Sequence, residues 1–211
     1  MATHIHEEEQ VEALKRWWKE NGTAIIAGIV LGLAGIFGWN AWQNHRQVQA
    51  EQASALYAQL LDAVDRRQYS LAEGLVQRLT TEFGSTAYAD FARLLAAKAA
   101  VDRQDLENAK KYLGQVLTRS GDPDFRHLAR LRLARVHLAD GHPEDGLKLL
   151  TAPDAGDPGS FGGQYEEIKG DLYVALGRLE QAAAAYRKAI ELGRDHGYLR
   201  MKLNDLGLES S

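Results

Sequence analysis

The amino-acid sequence predicts an all-α protein, with a single N-terminal transmembrane helix followed by an α-solenoid of stacked helical hairpins. Three observations carry that expectation. Residues 23 to 42, TAIIAGIVLGLAGIFGWNAW, are almost wholly apolar, and no Asp, Glu, Lys or Arg lies between Glu20 and Arg46. About 20 such residues, each rising about 1.5 Å, cross the roughly 30 Å hydrocarbon core of a bilayer. Further on, turn signals recur at Gln104-Asp-Leu-Glu-Asn-Ala109, Gly141-His-Pro-Glu-Asp-Gly146 and Gly177-Arg-Leu-Glu-Gln-Ala182, spaced by 37 and 36 residues. A period of that length, with apolar residues at helical spacing, marks repeated helical pairs. Composition agrees: only 4 of 211 residues are proline, so little interrupts the helices.

The charge balance excludes several classes of function. The chain carries 25 Lys+Arg against 29 Asp+Glu, a net charge of −4, and both signs are spread along it. That pattern leaves no basic footprint for nucleic acid. Cysteine is absent, which rules out disulfides, thiolate metal sites and a catalytic thiol.

Before the span, Val11, Leu14 and Trp18 recur at i, i+3 and i+7 behind the acidic run Glu7-Glu8-Glu9, with Glu12 and Arg16 paired on the other side. A short amphipathic helix lying on the membrane surface is expected, the alternative being a flexible tail that only supplies charge. Asn21-Gly22 reads as its stop. His4 and His6 lie in a terminus without enforced geometry and are not expected to hold a metal.

All four tryptophans flank the span: Trp17 and Trp18 before it, Trp39 and Trp42 at its end. Indole favours the membrane–water interface, where its ring is apolar and its N–H finds a partner. Topology follows Lys and Arg. Lys15, Arg16 and Lys19 precede the span, whereas Arg46 stands alone after it until Arg66, so the N-terminus is expected in the cytoplasm and the rest outside it. Val48-Gln49-Ala50 would suit signal cleavage. However, the apolar run exceeds the usual 7–15 residues or so and five glutamates precede it, so an uncleaved anchor is expected. Within the span, Gly28, Gly32 and Gly35, extended by Ala24 and Gly38, make a small-residue face on which another membrane helix could pack, although GxxxG also arises by chance.

From Arg46 to Arg67 no breaker appears, and Ala53, Leu56, Tyr57, Leu60, Leu61 and Val64 keep helical spacing, so the span is expected to run on as a helical stalk. In the third pair, Gly170, Tyr173, Gly177, Ala182, Tyr186 and Ala189 resemble the tetratricopeptide repeat, which places small residues where its two helices cross and an aromatic where they pack. The second pair has Ala134 and Gly146 at the crossing but Pro153 where an alanine belongs, which predicts a shortened second helix. The first has Ala97 and Ala109, and a weaker pair lies around Tyr57 and Gly74. Ala152 to Gly163, with two prolines and four glycines, is the evident loop. Aligned on the repeat, Leu94, Lys98, Leu131, Arg135, Glu167 and Asp171 fall on the face of a partner-binding groove, suited to an extended or helical peptide. Equally, the apolar members could be inter-repeat core and the charged ones a solvated face.

Enzymatic chemistry is not expected. His127 and His137 lack carboxylates at metal-ligand spacing, and Gly159-Ser-Phe-Gly-Gly163 lacks the lysine of a phosphate-binding loop. Nor is there a nucleophile elbow or a Ser-x-x-Lys motif. No cofactor and no metal site is predicted.

Gln10-Val-Glu-Ala-Leu-Lys-Arg-Trp-Trp-Lys-Glu-Asn-Gly22, the span through Gly38-Trp-Asn-Ala-Trp42, Leu131-Arg-Leu-Ala-Arg-Val136 and Met201-Lys-Leu-Asn-Asp-Leu206 together resemble the YfgM-like ancillary subunits of the bacterial SecYEG translocon. The resemblance implies a single-pass inner-membrane protein: residues 1–22 cytoplasmic, 23–43 in the membrane and 44–211 a periplasmic repeat domain, with 44–67 as its stalk. It implies association with the SecYEG translocon, with a membrane-anchored periplasmic chaperone of the prolyl-isomerase type, and with exported polypeptides, besides membrane lipid. It carries over no catalytic residue. Two further readings come from other classes: a stress-signalling regulator acting through the cytoplasmic segment, and an envelope scaffold.

Overall fold

The computed structural model describes residues 2–207, and side chains from Val11 onward except that of Ala13; the side chains of His4, His6 and Glu7-Glu8-Glu9 lie outside the described residues. Nine α-helices are described: α1 (Ala2–Asp65), α2 (Tyr69–Glu82), α3 (Ala87–Asp102), α4 (Leu106–Arg119), α5 (Pro123–Ala139), α6 (Pro143–Thr151), α7 (Gly162–Ala175), α8 (Leu179–Glu191) and α9 (Gly197–Asp205). The chain divides into two units, Met1–Glu51 and Gln52–Ser211.

The first unit is helical throughout its described residues. Asn21-Gly22 does not stop the helix, contrary to the sequence expectation. The Asn21 amide donates to the Trp17 carbonyl one turn back at 3.0 Å, so it supports the helix rather than competing with it. Gly22 keeps helical dihedrals and lies beneath the Trp18 indole, which would come within 3.2 Å of any Cβ there. Its missing side chain serves close approach, not a C-cap. Between the tryptophan pairs, Ile26, Ile29, Val30, Leu31, Ile36 and Phe37 are all exposed. A continuous apolar surface of this kind, on a helix long enough to span, matches lipid as its solvent.

The second unit is a run of four helical hairpins, beginning with the end of α1 against α2 and continuing as α3/α4, α5/α6 and α7/α8. Each closes through the same turn. A residue with positive φ stands at Arg67 (58°), Gln104 (62°), Gly141 (77°) and Gly177 (70°), at spacings of 37, 37 and 36. The residue after each donates its N–H back to the first helix: Gln68 to Ala63 O, Asp105 to Ala100 O, His142 to His137 O and Arg178 to Tyr173 O, at 2.8–2.9 Å. This satisfies carbonyls that a helix end leaves without partners. Arg67 shows that the weak early pair is a genuine hairpin, closed by the turn that the later pairs use.

Five positions after each turn residue comes a small side chain at the helix crossing, Ala72, Ala109, Gly146 and Ala182, all buried. At Gly146 a Cβ would meet Leu172 Cδ2 at 2.8 Å and the Ala134 carbonyl at 2.9 Å. Gly170 is tighter still, because Tyr186 lies flat against it. As expected from Pro153, α6 is short at 9 residues. Ala152, forced away from helical geometry by the following proline, is extended at φ −63°, ψ 137°, and 3₁₀ turns at Pro153–Ala155 and Gly159–Phe161 fill the loop before α7.

Apolar clusters run along the stack, from Leu56, Leu60, Leu75 and Leu79, through Leu113, Val116 and Leu133, to Leu131, Ile168 and Leu172. First helices also pack on one another, α3 on α5 and α5 on α7, which is how a solenoid propagates. An aromatic row ties the first three together: Tyr57, Tyr88, Phe91 and Phe125, with successive ring centroids at 5.8, 6.0 and 5.1 Å. Finally α9 seals the open end, burying Leu199 completely against Ala182, Tyr186 and Ala189.

Candidate partner-binding surfaces

The first unit offers the small-residue face. Gly28, Gly32, Gly35 and Gly38 have nothing within 4 Å of a built Cβ, so the helix backbone is open to a neighbour along this stripe. At its far end Trp39 and Trp42 lie 5.0 Å apart, centroid to centroid, and the Arg46 guanidinium sits 4.9 Å over the Trp42 ring. An aromatic pair topped by a cation suits a headgroup boundary. Trp17 and Trp18 are exposed at the other end, as are Lys15, Arg16 and Lys19.

In the second unit the six residues aligned to a groove separate into three environments. Leu94 and Leu131 are core, 5% and 0% exposed, which fits the inter-repeat packing alternative better than an open groove face. The reason is geometric, since first helices of neighbouring pairs meet closely enough to cover that position. Glu167 and Asp171 are brought together inside a charge network against α9. Glu167 is 5% exposed and receives Arg194 and, at 3.2 Å, Lys202 Nζ, with His196 Nε2 at 3.5 Å. Asp171 accepts the Tyr186 hydroxyl at 2.7 Å and Lys202 Nζ at 2.8 Å. Burial pushes the Glu167 carboxyl up, but the hydrogen bonds and charges of Arg194 and Lys202 outweigh it and hold its pKa below the ordinary value. Burial and the Asp171 bond raise the Tyr186 phenol, which stays protonated and donates. The network is a lock holding α9 on the end of the stack.

Lys98 and Arg135 remain accessible, and they line one groove together. Its apolar floor is Ala97, Val101, Leu106, Leu113, Val136 and Ala139, from α3, α4 and α5, and its volume is about 340 Å³. Arg132, one turn before Arg135, completes a rim of three cations. Sequence reasoning missed Val101, Leu106 and Arg132. The i, i+3 spacing of Arg132 and Arg135 was a visible sign that both share a helix face. Arg194, His196 and Lys202 had no such sign, being 27 to 35 residues from Glu167 in the chain.

A tetratricopeptide repeat-like domain model matches residues 15–208. The chain is 36% identical over 208 residues to a protein of Haemophilus influenzae named "Ancillary SecYEG translocon subunit", covering 98% of this chain and all of the relative. The chain belongs to the family of ancillary SecYEG translocon subunits. Relatives with the same name in Escherichia coli K12 and Neisseria gonorrhoeae are 28% and 29% identical and are again covered over their full lengths. Those alignments take in both the apolar N-terminal helix and the hairpins, so membership rests on the whole architecture rather than on the repeats alone. No solved structure matches the chain.

Proposed function

We propose that this chain is a non-enzymatic ancillary subunit of the bacterial SecYEG translocon, held in the inner membrane by one span. Residues 1–22 lie in the cytoplasm, 23–43 cross the bilayer, and 44–211 form a periplasmic domain on a helical stalk. Through that domain the subunit recruits a membrane-anchored periplasmic chaperone of the prolyl-isomerase type, exported polypeptides, or both. One observation carries the reading: a 36%-identical relative bearing the translocon-subunit name aligns with this chain from end to end, span included. Two features support it physically. The glycine stripe at Gly28, Gly32 and Gly35 leaves room for close approach of another membrane helix, and an open-sided stack of hairpins supplies surface for polypeptide.

A photoreactive residue in place of Gly32, activated in native membranes, tests the docking face. Crosslinks to SecY or its companions are the expected result; crosslinks only to copies of this chain, or none, would reassign the glycine stripe. Protease added to intact inverted vesicles checks the orientation, and should trim residues before Lys15 while sparing the hairpins.

A further inference from the structure

The groove between α3, α4 and α5 has a composition that selects its occupant. Its floor is entirely aliphatic, and Val101, one of the residues lining it, stays 40% exposed. A volume of about 340 Å³ lies at the lower end of the range of about 300–1,000 Å³ for ligand pockets, enough for a few aliphatic side chains and too little for a folded partner. Three cations stand around it. Lys98 is tied to Asp102 at 2.7 Å in an exposed pair. Arg132 and Arg135, by contrast, have no acidic partner among the described residues, although 29 acidic residues are available along the chain. Desolvation and the neighbouring Arg135 charge both press the Arg132 pKa below the usual arginine value, so two like charges face each other there uncompensated.

The corresponding site one hairpin earlier shows the contrast. Leu60, Val64, Tyr69 and Val76 line it, but Tyr112 and Arg103 fill it, leaving about 30 Å³, and Arg103 is paired with Glu73 and Asp105. A filled and neutralised site beside an open and cationic one shows that the repeat itself does not demand the opening.

We propose that this groove docks an acidic amphipathic segment of a partner polypeptide, a short helix or turn that seats two or three aliphatic side chains on Val101, Leu106 and Val136 and sets carboxylates against Arg132 and Arg135. The apolar floor supplies contact area and the cations fix register and select for negative charge. The proposal rests on the reading of the domain as a recruiting module and adds the chemistry of what it recruits. A chaperone or an exported chain would bind through whichever acidic-aliphatic segment it presents.

The test uses the full-length chain in lipid nanodiscs and three fluorescein-labelled 14-residue peptides, read by fluorescence anisotropy. One carries leucines on a single helical stripe flanked by glutamates, a second has lysines for the glutamates, and a third has serines for the leucines. The glutamate–leucine peptide is expected to bind at least about tenfold more tightly than either other peptide, and the double variant Arg132→Glu/Arg135→Glu to reverse the preference toward lysine. Reversal also certifies that the variant is folded. Equal binding of the acidic and basic peptides, binding that survives loss of the leucines, or an unaltered preference in the double variant would each overturn the proposal. So would displacement of the acidic peptide by phosphatidylglycerol vesicles from the wild type alone, which would assign the groove to lipid. Capture of the wild-type chain with SecYEG from membranes is scored separately. A chain that is captured but shows no peptide preference loses only the groove assignment, whereas a chain that is not captured loses the translocon reading whatever the peptides do.

Discussion

Replacing Gly170 with alanine adds one methyl group where the structure has no room for it. A Cβ at this position would lie 2.2 Å from Tyr186 Cε1 and 2.3 Å from Cδ1, well inside van der Waals contact. The ring cannot swing aside cheaply. Tyr186 is 2% exposed and its hydroxyl is fixed on Asp171 at 2.7 Å, which in turn holds Lys202. Overpacking of this kind costs about 1–3 kcal/mol, and a separation this short puts Gly170 at the top of that range. Alanine's better helix propensity returns somewhat less than about 1 kcal/mol, leaving a net loss of about 2 kcal/mol. For a domain of this size the loss lowers the melting temperature by about 4–8 °C. Thermal unfolding of the full-length chain in detergent, followed by circular dichroism, measures it. Gly74, on an open face of α2 with nothing within 4 Å, is the internal control, and Gly74→Ala should raise the melting temperature. In a double-mutant cycle, Tyr186→Ala should relieve most of the Gly170→Ala penalty, a coupling of more than about 1 kcal/mol. A Gly170→Ala melt within a degree of wild type, or strictly additive effects, would refute the claim that the hairpins close on this contact.

Three further outcomes follow from the same geometry. Glu167→Gln removes the buried anion from beneath Arg194 and Lys202 and should cost about 1.5–3 kcal/mol, read as a lower melting temperature and faster hydrogen exchange in α9. Because the folded Glu167 carboxyl sits below its ordinary value of 4.5, its contribution is fully present above that pH and is lost as pH falls through the lower folded value, so the wild-type and variant melts should converge in acid. Gln104→Gly relieves a positive-φ non-glycine residue and should stabilise by about 0.5–1 kcal/mol, whereas Gly141→Ala at the equivalent turn should destabilise by about 1 kcal/mol; equal signs in denaturant titrations would contradict the shared-turn account. Leu31→Arg in the middle of the span should reduce membrane insertion in proportion to a cost of about 2.5–3.5 kcal/mol, scored by the carbonate-extractable fraction.

Much of the fold could be read from the chain because its signals are local. The span is a composition, the hairpins are a period, and the short α6 follows from Pro153, which no helix interior tolerates. The turn at Arg67 was harder to see because glycine marks only the last two turns, while an arginine takes the same left-handed geometry here. Asn21-Gly22 misled for a different reason: the pair ends helices often, but here both side-chain positions are used by Trp17 and Trp18 of the preceding turn. The candidate site was only partly legible. Aligning the repeats put Lys98 and Arg135 on one face, and both line the same open groove, yet the same alignment could not say that Leu94 and Leu131 are covered by the adjacent first helices. That covering is set by how closely hairpins stack, a property of side-chain volumes summed over the interface. The α9 lock was invisible for the same reason, since Lys202 meets Glu167 and Asp171 only after the chain has folded back across α8.

As a translocon subunit with one candidate span, the chain should depend on its membrane helix and hairpin domain together. Affinity capture of the full-length chain from mildly solubilised inner membranes, with SecY, SecE and SecG quantified by mass spectrometry, tests it most directly. The control is the same hairpin domain carried on an unrelated span. Strong enrichment of all three components is expected with the native chain and reduced enrichment with the exchanged span; recovery of the translocon at background level with the native chain would refute translocon membership.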